Sequence, residues 1–133
     1  MTCVFCQKIR EGSVRQLNKS VVAFEPLNPV TPGHMLFVST EHLPNASYKP
    51  VVTGHVMMEA AKYAAGYGNN NIITSSGKDA TQTIFHLHIH VVPRHRKDGL
   101  KGFFWLRIPY ASQDVAIAAQ QAIVSAFGVE LGA

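Results

Sequence analysis

The sequence has few charged residues, only two cysteines and no long hydrophobic run. Asp, Glu, Lys and Arg make up 15% of its 133 residues, which excludes the strong bias of disordered and coiled-coil chains. Two cysteines are too few for a disulfide scaffold, and no apolar stretch approaches the roughly 18 to 20 residues of a membrane span. The first residues lack the basic and apolar regions of a secretory signal. We therefore expect a cytoplasmic protein with reduced thiols and no membrane partner.

The chain carries a formal net charge of +4, which favours either an anionic ligand or a solvated basic surface. Charge alone leaves both open. Four basic residues cluster in the second half of the chain: Arg94, Arg96, Lys97 and Lys101. They are not interleaved with stacking aromatic residues, so we expect no nucleic-acid partner.

The length and the order of the predicted elements indicate the fold class. A chain of this size can bury roughly two thirds of the surface that it exposes when unfolded. No repeat or linker interrupts it, so we predict a single domain over residues 1–133. Strands and helices segregate rather than alternate, which favours an α+β fold with an antiparallel sheet and two main helices packed on one face.

Turn formers and hydrophobic spacing place the individual elements. A short helical turn over residues 5–11 is predicted to end at Gly12. Strands are predicted at 14–17, 21–25, 35–38, 71–74 and 84–92. Apolar residues recur at helical spacing from Pro50 to about Ala65, and Ser112 is predicted to cap a final helix that runs to about Phe127.

The strand predicted at 84–92 carries three histidines on one face. Strict alternation places His86, His88 and His90 on one side and apolar residues on the other, starting with Phe85. Three imidazoles in a row indicate a site. They suit metal ligation, and they equally suit nucleophilic and acid–base chemistry, because histidine titrates near neutral pH.

The residues before this strand favour a phosphate ligand over a bare metal. Residues 75–83 form a polar loop whose amides and hydroxyls suit an anion. The loop and the strand together contain the run QTIFHLHIHVV, residues 82–92, which resembles the signature of the histidine triad nucleotide-binding proteins. Matching segments also occur earlier in the chain, as VAF at 22–24, PVTPGH at 29–34, LFV at 36–38 and EHLP at 41–44. The resemblance covers residues 3 to about 107.

This resemblance implies a nucleotide hydrolase or transferase. His88, the middle triad histidine, is expected to attack the α-phosphorus of a nucleoside phosphoramidate or dinucleoside polyphosphate. The resulting nucleotidyl-histidine intermediate is then hydrolysed by water, which divides one difficult displacement into two easier ones. His90 is expected to hydrogen-bond the phosphoryl oxygens and to assist proton transfer. Gln82 is expected to hold a phosphate or bridging oxygen, and His34 to orient the triad. The family chemistry needs no catalytic metal.

A C-x-x-C motif at Cys3 and Cys6 forms a second feature of the sequence. Alone, it fits a redox pair, half of a zinc site or two buried thiols. The resemblance implies a structural Zn²⁺ site, because many bacterial-type members pair this motif with two histidines. His42 and His86 occupy those positions here.

The nucleotide-binding residues depart from the family pattern at two positions. Pro26 stands where a ribose-binding Asp or Asn is usual, so Asn28 is a candidate substitute. Ser75 replaces a common Asn and keeps a hydroxyl for phosphate. The remaining candidate substrate-binding residues are Thr83, Leu27 and Phe24.

The resemblance also implies an AMP- or GMP-type purine ligand and a two-fold homodimer. Two alternatives stay open. One is a purine-nucleotide-binding module with weak or no catalysis, which the departures at Pro26 and Ser75 permit. The other is a metal protein in which all three triad histidines are ligands.

Overall fold

The computed structural model describes residues 2–100 and Gln121. The chain divides into two compact units, Met1–Asp98 and Gly99–Ala133, and the first contains every element below. Its helices are α1 (Val4–Glu11) and α2 (Pro50–Ala64), and a 3-10 turn spans Lys78–Ala80. Its strands are β1 (Arg15–Asn18), β2 (Val21–Phe24), β3 (Met35–Ser39), β4 (Asn70–Ile73) and β5 (His88–Pro93). The single domain over 1–133 stays a prediction.

The five strands form one antiparallel sheet in the order β1-β2-β3-β5-β4. β5 therefore lies inside the sheet, between β3 and β4. Its register with β3 pairs Leu36 with His90 and Val38 with His88. The α+β class and the antiparallel sheet agree with the sequence prediction, and β5 is held by hydrogen bonds on both sides.

The two helices pack on opposite faces of this sheet. α2 covers a core that includes Ala23, Phe37, Ile89 and Val91. α1 covers the other face, where Phe5 joins the second apolar cluster. α1 is not one of the two main helices of the prediction, and it can pack opposite α2 because β2 and β3 are apolar on both faces. Neither helix is long and apolar enough to cross a membrane, nor is any other helix in the described part of the chain.

Glycine marks the end of α1 and proline the beginning of α2, as the sequence predicts. Gly12 follows α1 with φ of +74°, and its amide bonds back to the last turn of the helix. Pro50 occupies the first turn of α2, where its missing N–H costs nothing. The predicted final helix and the aromatic segment at 103–105 lie outside the described residues, apart from Gln121, which is helical.

The histidine-bearing strand begins four residues later than predicted. Residues 84–87 do not continue the strand, and Leu87 instead donates its amide hydrogen to the carbonyl of Leu43, at 2.7 Å. Phe85 is 48% exposed, so its predicted place on the apolar face is wrong. The alternation holds from Leu87 onward, where Leu87, Ile89 and Val91 are all buried. Local polarity alone does not reveal that the Leu87 amide bonds to a loop carbonyl, while the Leu87 carbonyl still accepts from the amide of Ser39 in β3.

We predict opposite effects for alanine at two glycines. Gly33 has φ of +87°, and a Cβ there would lie 2.5 Å from the hydroxyl oxygen of Tyr67, so Gly33→Ala should destabilise the protein by about 1–3 kcal/mol. Gly54 lies within α2 with open space around it, so Gly54→Ala should stabilise the protein by about 0.5–1 kcal/mol. Urea unfolding measures both. Equal effects of the two changes would contradict this account of Gly33.

Candidate active site and metal centre

Strand β5 presents His88 and His90 on the face of the sheet that α1 covers. The intervening Ile89 points into the core beneath α2, since successive side chains alternate between faces. The rings of His88 and His90 lie 5.3 Å apart, centroid to centroid. Both side chains are partly exposed, so a ligand can reach them.

His34 lies beside His90 and fixes the position of its hydrogen. The amide of Val30 donates a hydrogen bond to His34 Nδ1, at 3.1 Å, so this nitrogen carries no proton. The proton of neutral His34 is therefore on Nε2, which lies 2.9 Å from His90 Nδ1. His34 donates and His90 accepts, so the proton of neutral His90 is on its Nε2. A chain of two hydrogen bonds thus assigns one tautomer to each ring.

His88 carries its proton on Nδ1, whereas His34 and His90 carry theirs on Nε2. Its Nδ1 lies 2.6 Å from the carbonyl oxygen of His86, and a carbonyl only accepts, so Nδ1 carries the proton. The Nε2 lone pair is left free. The edge of the Phe5 ring packs against His88, with centroids 5.1 Å apart. His88 therefore offers a basic nitrogen, whereas its neighbour His90 offers an N–H.

Burial keeps these imidazoles neutral. Desolvation lowers the pKa of His34, and it lowers the pKa of His88 against an opposing hydrogen bond to His86. For His90, desolvation and then repulsion from His88 and His34 lower the pKa to about 4. Near pH 7 the site therefore holds neutral rings, which suit nucleophilic attack by one nitrogen and hydrogen-bond donation by another.

A second cluster joins Cys3, Cys6, His42 and His86. One ligand atom from each residue lies within 4.8 Å of all the others. His86 Nδ1 is 3.4 Å from Cys3 Sγ, 3.5 Å from Cys6 Sγ and 3.2 Å from His42 Nδ1. Tetrahedral zinc with bonds of about 2.0–2.3 Å requires ligand separations of roughly 3.3–3.8 Å, so the spacing is close to that of a metal site.

The tautomer of His86 supports metal ligation. Its Nε2 lies 2.7 Å from the carbonyl oxygen of Ser39, which must accept, so Nδ1 carries the free lone pair. That lone pair faces two thiols and a second imidazole nitrogen. Histidine ligands of metals commonly have this arrangement, with a carbonyl that holds the other ring nitrogen. Without a metal, burial and the neighbouring Cys3 raise the pKa of Cys6. Two cysteines and two histidines fit Zn²⁺ by ligand chemistry.

The structure places the other predicted site residues in several environments. Gln82 is buried, and its side chain bonds to the backbone at Gly77, Pro44 and Ile84. Thr83 and Asn28 are exposed, Ser75 is partly exposed and Leu27 is 95% exposed. Phe24 packs edge-on against Phe5, at 5.3 Å. The histidines are thus brought together, whereas Gln82 is engaged with the backbone of the loop before β5.

The sequence does not predict the backbone groups that bond to the histidine rings, nor the contact of α1 with His88. The amide of Val30 and the carbonyl oxygens of Ser39 and His86 leave no mark in residue type. The sequence places Phe5 only in the short helical turn at 5–11, and nothing in that pattern predicts the contact of its ring with His88. A cavity of about 650 Å³ lies elsewhere, lined by residues that include Arg15, Phe37, Glu59 and Tyr63 and by none of the triad histidines.

Comparisons with known sequences point to one family. The family model described as the HIT domain matches residues 10–97. An adenylylsulfatase of Arabidopsis thaliana is 33% identical over 108 residues, which cover 74% of this chain and 55% of that protein. An adenosine 5′-monophosphoramidase of Schizosaccharomyces pombe is 25% identical over 125 residues, which cover 86% of this chain and 91% of that protein.

Solved structures give the same answer. A HIT family hydrolase from Clostridium thermocellum superimposes with a TM-score of 0.64 at 28% identity, covering 72% of this chain and 93% of that one. A HIT family protein from Bacillus anthracis superimposes with a TM-score of 0.71 at 25% identity, covering 96% and 95%. The HIT-domain match spans more than half of the sequence and includes the His86-x-His88-x-His90 strand, and the chain therefore belongs to the histidine triad family.

Proposed function

We propose that this protein is a nucleotide hydrolase in which His88 Nε2 attacks the α-phosphorus of a nucleoside phosphoramidate or dinucleoside polyphosphate. The observation that carries the proposal is the 2.6 Å bond from His88 Nδ1 to the carbonyl oxygen of His86. This hydrogen bond places the only proton of the neutral ring on Nδ1, so the free lone pair is on Nε2. Two relatives named as an adenylylsulfatase and an adenosine 5′-monophosphoramidase support a substrate built on AMP.

The reaction takes two displacements at phosphorus. In the first, a bond forms between His88 Nε2 and the α-phosphorus, and the bond from phosphorus to the leaving group breaks. A phosphate leaving group departs as an anion, whereas an amine departs after its nitrogen has taken a proton from water. In the second, a water oxygen bonds to phosphorus, the bond to Nε2 breaks and the proton of the water passes to solvent. The products are the nucleotide and the leaving group, and His88 returns to its starting state.

His90 acts in this scheme as a neutral hydrogen-bond donor. Its Nδ1 is occupied by the hydrogen bond from His34, so its Nε2–H is the group left for a phosphoryl oxygen. A pKa of about 4 keeps it uncharged near neutral pH, so its contribution is electrostatic stabilisation of the developing charge. This gives His90 the first of its two expected roles, whereas proton transfer to the leaving group falls to water.

The substrate groups are assigned to residues around His88. We place the base against Phe24 and the exposed Leu27, because Phe24 contacts Phe5, which in turn contacts His88. Asn28 serves the ribose, and Ser75 and Thr83 serve the phosphate. Gln82 acts differently from expectation: with its amide bonded to the backbone, it shapes the phosphate loop from within.

The metal cluster is assigned a structural Zn²⁺. Cys3, Cys6, His42 and His86 would hold it, and the ion would supply a fixed point that joins the N-terminal helix to the sheet. His86 is then unavailable to substrate, and the phosphoryl chemistry uses no metal. Cys3 and Cys6 are free cysteines, as is usual in a reducing compartment, which supports a cytoplasmic location.

A two-fold homodimer completes the proposal. α2 exposes apolar side chains that a partner would cover: Val51 is 74% exposed and Met58 is 53% exposed. Exposed apolar side chains grouped on one helix are typical of an interaction surface. The small-molecule partner is a purine nucleotide of the AMP or GMP type.

The first test compares wild type, His88→Ala and the exposed-site control His55→Ala, all checked for folding and zinc content. Release of AMP from adenosine phosphoramidate and from diadenosine polyphosphates should fall by about 10³-fold or more in His88→Ala, since the nucleophile is lost. His55→Ala should keep wild-type rates. Undiminished turnover by folded His88→Ala would contradict the mechanism. AMP binding without turnover by wild type would favour a nucleotide-binding module.

The second test measures metal content. We expect one zinc per chain by elemental analysis, loss of that zinc in Cys3→Ser, and a melting temperature lower by about 5 °C or more. His90→Gln should retain the metal, because His90 lies outside the cluster. Loss of zinc in folded His90→Gln would show instead that the triad itself is the metal site.

The third test uses pH. In the unfolded chain, histidine has a pKa of about 6.5 and takes up protons that folded His90, with a pKa of about 4, does not. The stability that neutral His90 contributes is therefore complete above pH of about 6.5 and is lost as pH falls toward about 4. The urea midpoint should fall between pH 7.5 and 5.0, and it should fall less in His90→Gln than in wild type. Equal falls would contradict the buried neutral state of His90.

A further inference from the structure

Tyr63 of α2 reaches the backbone that carries His34. Its hydroxyl donates to the carbonyl oxygen of Gly33, at 2.7 Å, and its ring packs on Phe37 with centroids 5.4 Å apart. The hydroxyl of Tyr67 lies 3.2 Å from that of Tyr63. Since the one proton of Tyr63 goes to Gly33, Tyr67 is the donor in this pair. Tyr67 thus donates to Tyr63, and Tyr63 donates to the carbonyl oxygen of Gly33.

That carbonyl belongs to the peptide bond between Gly33 and His34, which is held at both ends. The His34 amide donates to the carbonyl of Thr31, at 3.1 Å, while the Gly33 carbonyl accepts from Tyr63. Thr31 is itself fixed, because its hydroxyl donates a buried hydrogen bond of 2.9 Å to the carbonyl oxygen of Pro93. The peptide plane that bears the His34 side chain therefore has no free polar group and a fixed orientation.

The close packing around Gly33 makes this contact specific. With φ of +87° and the Tyr67 hydroxyl oxygen 2.5 Å from a would-be Cβ, residue 33 must be glycine for the tyrosines to approach. Desolvation by burial is the main cause that raises the pKa of Tyr63 to about 12. Tyr63 therefore stays a donor throughout the pH range in which an imidazole changes its charge.

We propose that Tyr63 is a positioning residue for the active site. Its hydroxyl holds the Gly33–His34 peptide, and this keeps the His34 imidazole in place for its hydrogen bonds with the Val30 amide and with His90. The proposal rests on the proposed function for its catalytic consequence. When the peptide rotates, His34 Nδ1 loses the hydrogen bond from Val30, and either nitrogen of His34 can then carry the proton. His90 in turn loses its donor, its own proton can move to Nδ1, and the Nε2–H that serves the phosphoryl oxygen is lost.

The kinetic test compares Tyr63→Phe with the control Tyr48→Phe, which removes the hydroxyl of an exposed tyrosine. Tyr63→Phe keeps the ring that fills the core against Phe37. We expect kcat for AMP release to fall by about tenfold with KM changed by less than about twofold, which is less than the roughly 10²–10³-fold loss that follows complete removal of one donor to the developing charge. Tyr48→Phe should match wild type. Wild-type kcat in Tyr63→Phe would overturn the proposal.

A second readout does not depend on activity. Long-range ¹H–¹⁵N spectra between pH 5.5 and 8 should show His90 as the Nε2–H tautomer in wild type and in Tyr48→Phe. In Tyr63→Phe the Nδ1–H tautomer should appear. An unchanged tautomer in Tyr63→Phe would overturn the positioning role even if kcat fell. If wild type turns over no nucleotide but the tautomer still shifts in Tyr63→Phe, the proposed function fails and the positioning role stands.

Discussion

Hydrogen bonds from the backbone decide what each imidazole of the site can do. A carbonyl accepts and an amide donates, so one bond to one ring nitrogen fixes where the proton lies. His86 and His88 each donate a proton to a carbonyl, but through opposite nitrogens, so the free lone pair is on Nδ1 in His86 and on Nε2 in His88. His34 instead receives an amide hydrogen at Nδ1 and becomes a donor. Three roles thus arise from one residue type.

The metal cluster and the proposed nucleophile are linked through a single residue. The side chain of His86 belongs to the cluster, while its carbonyl oxygen accepts the proton of His88 Nδ1. The backbone at this point is also fixed by the following residue, Leu87, whose amide bonds to Leu43 just beyond His42. The geometry of the Cys3, Cys6, His42 and His86 cluster and the orientation of the His88 ring are therefore set by the same few peptide units.

Much of the fold and part of the site could be predicted from sequence. The C-x-x-C motif, the end of α1 at Gly12, and the alternation from Leu87 to Val91 are local patterns, and they hold. The prediction for Phe85 failed because it depends on contacts between residues that are distant in the sequence. Phe85 is exposed because the chain leaves the strand before His88, where the Leu87 amide bonds to the Leu43 carbonyl. The position of α1 opposite α2, which no local pattern predicts, depends on β2 and β3 being apolar on both faces. The contact between Tyr63 and Gly33 joins residues 30 positions apart through a main-chain atom, so no residue pattern reveals it.

Phe5 lies between Cys3 and Cys6, the two cysteines of the candidate metal cluster. Its ring contacts both His86 and His88. Cys3, at the N-cap, and Cys6, in α1, lie on either side of it within about one helical turn. An α-helix advances by about 100° per residue, so one residue inserted between the cysteines would turn Phe5 away from His88 even if both thiols kept their positions. The length of this short segment is therefore under two independent constraints, one from the two thiols and one from the contact between Phe5 and His88. Tolerance of insertions should change abruptly at Gly12, where α1 ends and neither constraint applies.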